Sequence, residues 1–288
     1  MCEKENMMAA STGQDFDLRL TSGRVRARRI GPPKTPLILL VHGLSAHLHA
    51  FDDIVEALAA LDRQLVALDL RGRGRSEITP AGTYGLDAHC RDLLEAATQL
   101  EADQFDLAGW SMGAMIGIGI ANRAPQRLRR LVLIDAAGGD KIDPGALDKV
   151  TKGLARLDMV VERRSDYIQA IKAASGISPW TPFWDRYFEY ELGAHGRGWK
   201  PTTSKSACVE DLSGRLDHDW RVLWNGITMP ALLVRCLLPT GGGFVVSESV
   251  RDEMRRAVPG MKIVEVASDH YTVMNSPAAA DAIREFLI

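Results

Sequence analysis

Short aliphatic runs recur along the chain, each closed by turn residues and followed by a stretch with helical spacing. Residues 37–41, 65–68, 105–108, 131–134, 231–238 and 262–266 are of this kind. They are too short for helices and lack the apolar–polar alternation of a strand with one wet face. Unbroken Leu/Val/Ile runs alternating with helices belong to strands buried on both faces, which predicts a mostly parallel central sheet flanked by helices, an α/β fold. Residues 16–20 and 25–30 alternate instead around Thr21-Ser22-Gly23, the pattern of an opening β-hairpin. Small and aliphatic residues without proline predict a helix over 114–124, and 277–287 reads as another.

The rhythm breaks between Ala136 and Ile227. Every tryptophan except Trp110 lies in that gap, with Phe183, Tyr187, Phe188 and Tyr190. Helical patterning is expected over 143–157 and 165–174, and residues 180–192 crowd many aromatics into little length. An insertion leaving the sheet at the carboxyl ends of its strands would sit above them as a lid. The expected division is a core over 14–137 and 227–288, with a helical, aromatic-rich cap over 138–226.

Composition narrows the class without naming it. With 288 residues, 46% hydrophobic and 25% charged, the chain has the make-up of a globular protein. A net charge of −2 and no charged block give no reason to expect nucleic acid or an anionic membrane as partner. Cys2, Cys90, Cys208 and Cys236 are scattered, as reduced thiols would be, and residues 1–13 lack the apolar core of a secretory signal. A cytoplasmic protein acting on a small molecule, with no metal and no cofactor, is the expectation.

The chemistry centres on Gly109-Trp110-Ser111-Met112-Gly113. A serine between two glycines at a strand-to-helix turn is a nucleophile elbow, where helix and strand crowd so closely that the flanking positions need to be nearly free of side chain. A serine hydroxyl needs a base, and the base needs an orienting acid. His270 follows the strand-like run 262–266 after a short loop and is the expected base. The acid is expected to be Asp135, which ends the run 131–134: neighbouring strands lie about 4.8 Å apart, so a carboxylate there flanks the serine. The run 231–238 leads instead into Pro239-Thr240-Gly241-Gly242-Gly243-Phe244 without a carboxylate, leaving Glu248 as the alternative acid. The backbone N–H groups of Leu44, after His42-Gly43, and of Met112 are the expected oxyanion donors. His42 is expected to fix its loop by hydrogen bonds. Expected substrate-binding residues are His47, Trp110, Trp184, Arg186, Tyr187 and Tyr271.

The chain resembles the α/β-hydrolase superfamily over essentially its whole length. The resemblance rests on His42-Gly43, Asp69-Leu70-Arg71-Gly72-Arg73-Gly74-Arg75-Ser76, the elbow and Asp269-His270-Tyr271. It departs where a glycine run replaces the usual Gly-x-x-Asp, and where Asp269 stands in place of a glycine before the histidine. Within the superfamily, the displaced acid with His270-Tyr271 is similar to that of a cofactor-free amide hydrolase. The resemblance implies a serine hydrolase cleaving an ester or amide through an acyl-enzyme. Carbon–carbon bond hydrolysis of a diketone-type substrate and a non-enzymatic small-molecule receptor are the alternatives. Were any of Arg156, Arg163, Arg164 or Arg186 to face inward beside Tyr271, the site would suit a carboxylate-bearing substrate.

Overall fold

The computed structural model describes residues 13–139, 150–214, 218–240 and 243–288. In chain order the strands are β1 (Gln14–Leu20), β2 (Gly23–Ile30), β3 (Leu37–Val41), β4 (Gln64–Leu68), β5 (Phe105–Trp110), β6 (Leu128–Ile134), β7 (Leu192–His195), β8 (Gly198–Pro201), β9 (Ala231–Cys236) and β10 (Lys262–Val266). The helices are α1 (Asp52–Leu58), α2 (Leu86–Gln99), α3 (Met112–Arg123), α4 (Arg164–Ala174), α5 (Pro182–Tyr190), α6 (Lys205–Gly214), α7 (Trp220–Leu223), α8 (Glu248–Ala257) and α9 (Pro277–Leu287).

Eight strands form one sheet in the order β1-β2-β4-β3-β5-β6-β9-β10. The expected hairpin β1–β2 is antiparallel and joins β4 antiparallel, while β4, β3, β5, β6, β9 and β10 run parallel. The apolar runs explain this placement: every residue of β3, β4, β5 and β9 is buried. Separate apolar clusters cover the two faces. Each fully buried Leu, Val or Ile contributes on the order of 1.5–3 kcal/mol, so moving any of these strands to an edge would be costly. Because the central strands are parallel, Val41, Trp110, Ile134 and Cys236 end at one edge, and the loops after them converge there.

Three sequence expectations need adjusting. The run 231–238 ends as a strand at Cys236; Leu237 and Leu238 leave the sheet and are exposed. The helix expected over 143–157 begins outside the described residues, and its described end becomes a 3-10 turn over Leu154–Asp158. A small antiparallel pair, β7–β8, follows the aromatic segment. It is too short and glycine-rich to show alternation. The aromatic segment itself forms α5, whose Phe183, Trp184, Tyr187 and Phe188 are buried against the sheet face carrying Ile38, Leu40 and Trp110.

Candidate active site

Ser111 stands between β5 and α3 with φ 55° and ψ −115°, a left-handed conformation costing on the order of 1–3 kcal/mol. Backbone bonds hold it: its N–H donates to Ile134 O at 3.0 Å, and its carbonyl accepts from Ala114 and Met115. The flanking glycines are sterically required, since a Cβ on Gly109 would strike the Gly113 backbone and one on Gly113 would strike the Val41 carbonyl. The turn therefore brings the start of α3 onto the end of β3.

The structure brings the three residues singled out from sequence into one hydrogen-bonded line. Ser111 Oγ lies 3.0 Å from His270 Nε2, and His270 Nδ1 lies 2.8 Å from Asp135 Oδ2. The other Asp135 oxygen accepts the Cys236 N–H at 3.0 Å, and Trp110 Nε1 donates to the His270 carbonyl at 3.0 Å. Asp135 is left-handed as well (φ 45°), which turns its side chain off the end of β6 and across the sheet edge. Burial opposes ionisation of Asp135, but the hydrogen bond and charge of His270 and the Cys236 amide outweigh it and hold the carboxyl below its ordinary pKa. Glu248 is exposed in the first turn of α8, on the far side of Ser247, which caps that helix.

The loop after β3 borders the serine. A Cβ on Gly43 would stand 3.2 Å from Ser111 Cβ, so Gly43, which leads into the Gly43–Leu44 peptide, lies against the serine side chain. His42 pins that peptide. Its Nε2 accepts the Leu70 N–H at 3.0 Å, leaving the ring proton on Nδ1, which donates to Gly43 O at 2.7 Å. Met112 opens α3, where no intrahelical carbonyl reaches the N–H and the helix end favours negative charge. Among the described residues, no group of three or more His, Cys, Asp or Glu is arranged to hold a metal ion.

His42 is fully buried, and burial drives its pKa from 6.5 down to about 3. Between those values the unfolded chain takes up a proton that the folded chain refuses. The stability contributed by neutral His42 is therefore complete above about pH 6.5 and drains away as pH falls toward 3, and buried His47 acts in the same direction. We expect unfolding free energy to fall between pH 7 and pH 5 with a His42 share approaching about 1.4 kcal/mol per pH unit. Denaturant melts of wild type and His42→Asn check this, the variant giving the shallower slope. Equal slopes would contradict it.

The expected substrate-binding residues divide. Trp110 lies against the His270 ring, 5.5 Å between centroids, and exposed Tyr271 meets it edge-on at 5.8 Å. His47 is fully buried, stacked on Tyr187 at 4.1 Å with Nε2 against the Tyr187 carbonyl. Trp184 packs edge-on to Tyr187. His47 Nδ1 and Trp184 Nε1 are buried without a hydrogen-bond partner. Arg186 must be corrected: it lies on the exposed face of α5, lining a separate outer cleft with Arg28, Arg75 and Arg164, because the helical period turns it away from the buried aromatics. Arg163 and Arg164 pair with Asp166 and Glu189 near the surface. Arg156 does turn inward, but Glu191 takes its charge at 2.7 Å and Ser45 takes further donors. Of the four arginines, Arg156 is thus the one that turns inward, and Glu191 is its partner there. The ties made by Arg73, Arg156, Glu191 and Asp211 were missed from sequence; the advance signals were Arg73 inside the Arg-Gly motif and Arg156 among the arginines that could face inward.

A family model described as alpha/beta hydrolase fold matches residues 36–277. Over 270 residues the chain is 28% identical to the pimeloyl-[acyl-carrier protein] methyl ester esterase of Neisseria meningitidis, covering 92% of this chain and 98% of that protein. It is 33% identical over 150 residues to the 3-hydroxybutyrate-oligomer hydrolase of Cupriavidus necator, which covers 51% of this chain and spans half (50%) of that relative. Among solved structures, E-2-(acetamidomethylene)succinate hydrolase superposes with a TM-score of 0.85 at 23% identity, covering 96% of this chain and 99% of that one, a likeness of fold.

Proposed function

Since the chain belongs to the alpha/beta hydrolase fold family, we propose that this hydrolase is a cofactor-independent serine enzyme cleaving an ester or amide bond of a small carbonyl substrate. The observation carrying the reading is the line from Ser111 Oγ through His270 to Asp135, at 3.0 Å and 2.8 Å. Asp135 accepts the Nδ1 proton of His270, so Nε2 faces Ser111 with its lone pair. His270 takes the hydroxyl proton as Ser111 Oγ attacks the carbonyl carbon, and Asp135 stabilises the imidazolium. The carbonyl oxygen, now negative, is received by the N–H groups of Met112 and Leu44. His270 returns its proton to the leaving alcohol or amine, and an acyl-Ser111 remains. Water, deprotonated by the same imidazole, releases the acid. The bond class is supported by the ester-cleaving relative, whose likeness covers most of both chains. In this reading residues 138–226 form the cap, and its aromatics with Trp110 and Tyr271 shape the acyl site.

Mixing the protein with a p-nitrophenyl ester and quenching early should yield a peptide acylated at Ser111 and no other serine. Turnover without that adduct would sink the covalent mechanism.

The placement of the cap arginines gives a further expectation. In matched esters with and without a free carboxylate, Arg186→Ala should leave the ratio of kcat/KM values within about twofold, since a surface charge acts weakly through screening water. A collapse of that ratio would put Arg186 back in the acyl site.

A further inference from the structure

Three successive carbonyls of the loop beside Ser111 are tied to side chains. Gly43 O accepts from His42 at 2.7 Å. Leu44 O accepts Arg73 Nε at 3.0 Å and the Cys208 thiol at 3.4 Å. Ser45 O accepts Arg156 Nη2 at 3.1 Å, and the same guanidinium lies 3.3 Å from Ser45 Oγ. Both arginines owe their counter-charge to the segment between β6 and β9. Arg73 Nη2 meets Asp211 of α6 at 2.5 Å, and Arg156 Nη2 meets Glu191, just after α5, at 2.7 Å.

The carboxylates are held on their remaining lone pairs. Asp211 also accepts His89 Nε2 at 2.9 Å and the Gly85 N–H at 2.6 Å, while the second Glu191 oxygen accepts Tyr167 OH at 2.5 Å. Arg73 and both carboxylates are almost wholly buried. Burial opposes the charge on Asp211, yet His89, Arg73 and the Gly85 amide bring its pKa down to about 2. Buried ion pairs are weak contributors to stability, because desolvation offsets their attraction. Their geometric effect is larger: Arg73 is locked on Asp211 through Nη2 and grips Leu44 O through Nε, while Arg156 Nη2 bridges Glu191 and Ser45 O.

We infer that the cap builds the oxyanion loop as well as covering it, with Arg73 and Arg156 as positioning residues that fix the Leu44 and Ser45 carbonyls and are themselves fixed by cap residues Asp211 and Glu191. The inference rests on the proposed role of the Leu44 N–H. That N–H belongs to the peptide pinned by His42, and Arg73 pins the carbonyl of the next peptide, so both torsions at Leu44 are constrained. Without Asp211 and Glu191 the two arginines lose what holds them on the loop, and the donor loses its aim.

Two variants test it. Arg73→Lys keeps a cation beside Asp211 but has one ammonium where the guanidinium reached three acceptors, so Leu44 O is left with only the weaker Cys208 thiol bond. Arg156→Met with Glu191→Gln removes both charges together and releases Ser45 O. Each should lower kcat by roughly 10- to 100-fold, the scale of a misaimed oxyanion donor, with KM within about threefold. A trifluoromethyl ketone, which forms a tetrahedral adduct on Ser111, should lose affinity by the same factor, while its methyl ketone counterpart binds as before. Unchanged kcat, or parallel losses for both ketones and KM, would overturn the inference and leave the arginines as plain cap fasteners. If the double variant loses its circular dichroism, Arg73→Lys decides. Wild-type turnover that survives Ser111→Ala is scored first and removes the reading beneath the inference. Ser111-dependent turnover with both variants at full kcat removes the inference alone.

Discussion

Replacing Ser111 with alanine should leave the fold intact and lower kcat by about 10⁵- to 10⁶-fold, the loss found when an activated serine is removed. The fold should hold because the elbow is built by backbone. The Ser111 N–H on Ile134 O and its carbonyl under Ala114 and Met115 all persist in the variant, and the hydroxyl makes no capping bond to α3. The left-handed turn is as accessible to alanine as to serine. The hydroxyl's hydrogen bond is to His270 Nε2, so its removal deletes the attacking atom and leaves the oxyanion donors. Residual turnover should come from bound water attacking in their field. A fluorophosphonate probe should label wild type at Ser111 alone. Ser45, the serine of the neighbouring loop, has its hydroxyl against Arg156 rather than a base. Labelling that persists in Ser111→Ala would defeat the assignment.

What could be read from the sequence was whatever local crowding dictates. Strands buried on both faces have no choice but apolar runs, so β3, β4, β5, β6 and β9 announced themselves, and their carboxyl ends pointed to the candidate site; β10, at the sheet edge with Lys262 and Glu265 exposed, was legible only from its Ile263, Val264 and Val266. The elbow was legible because α3 lies on Val41 so closely that only glycine fits at Gly113. Asp135 was legible for a geometric reason: β5 and β6 pair in register from Asp106–Arg130 to Trp110–Ile134, so the residue after Ile134 emerges beside Ser111.

What depends on partners far along the chain was not legible. Arg73 and Asp211 meet across 138 residues, and Arg156 reaches Ser45 across 111. Nothing local marks either carboxylate as a counter-ion. Arg186 illustrates a different failure. Its place among aromatics made it look like part of the pocket, but four buried rings, Phe183, Trp184, Tyr187 and Phe188, already define the inward face of α5. At 3.6 residues per turn, Asp185 and Arg186 then fall outside. The period was in the sequence; the direction of the core was not. His47 stood among the expected substrate-binding residues, but its ring is buried under Tyr187 and Tyr190 of α5, partners that lie 140 and more residues away.

Asp135→Asn should cost about 10⁴-fold in kcat while Glu248→Gln costs little, because the acid's task is to select one imidazole tautomer. In wild type, one Asp135 oxygen accepts the Cys236 N–H at 3.0 Å and the other accepts His270 Nδ1–H at 2.8 Å. Both contacts need an acceptor. Asparagine has one carbonyl oxygen, and the Cys236 amide, fixed at the end of β9, claims it. The Asn nitrogen then points at Nδ1 and donates. His270 answers by carrying its proton on Nε2, which faces Ser111 Oγ and can no longer take a proton from it. Geometry survives and basicity at the reacting nitrogen is lost, so kcat should fall with little change in KM or melting temperature. Glu248 sits exposed in the first turn of α8, where its charge meets the helix N-terminus. Its neutralisation should change stability by no more than about 1 kcal/mol and activity by no more than a few-fold. Steady-state kinetics on the two purified variants with one ester substrate decides the matter. A crippled Glu248→Gln beside an active Asp135→Asn would mean that Glu248, not Asp135, orients His270 in turnover, and that the bond to Asp135 belongs to a resting arrangement only.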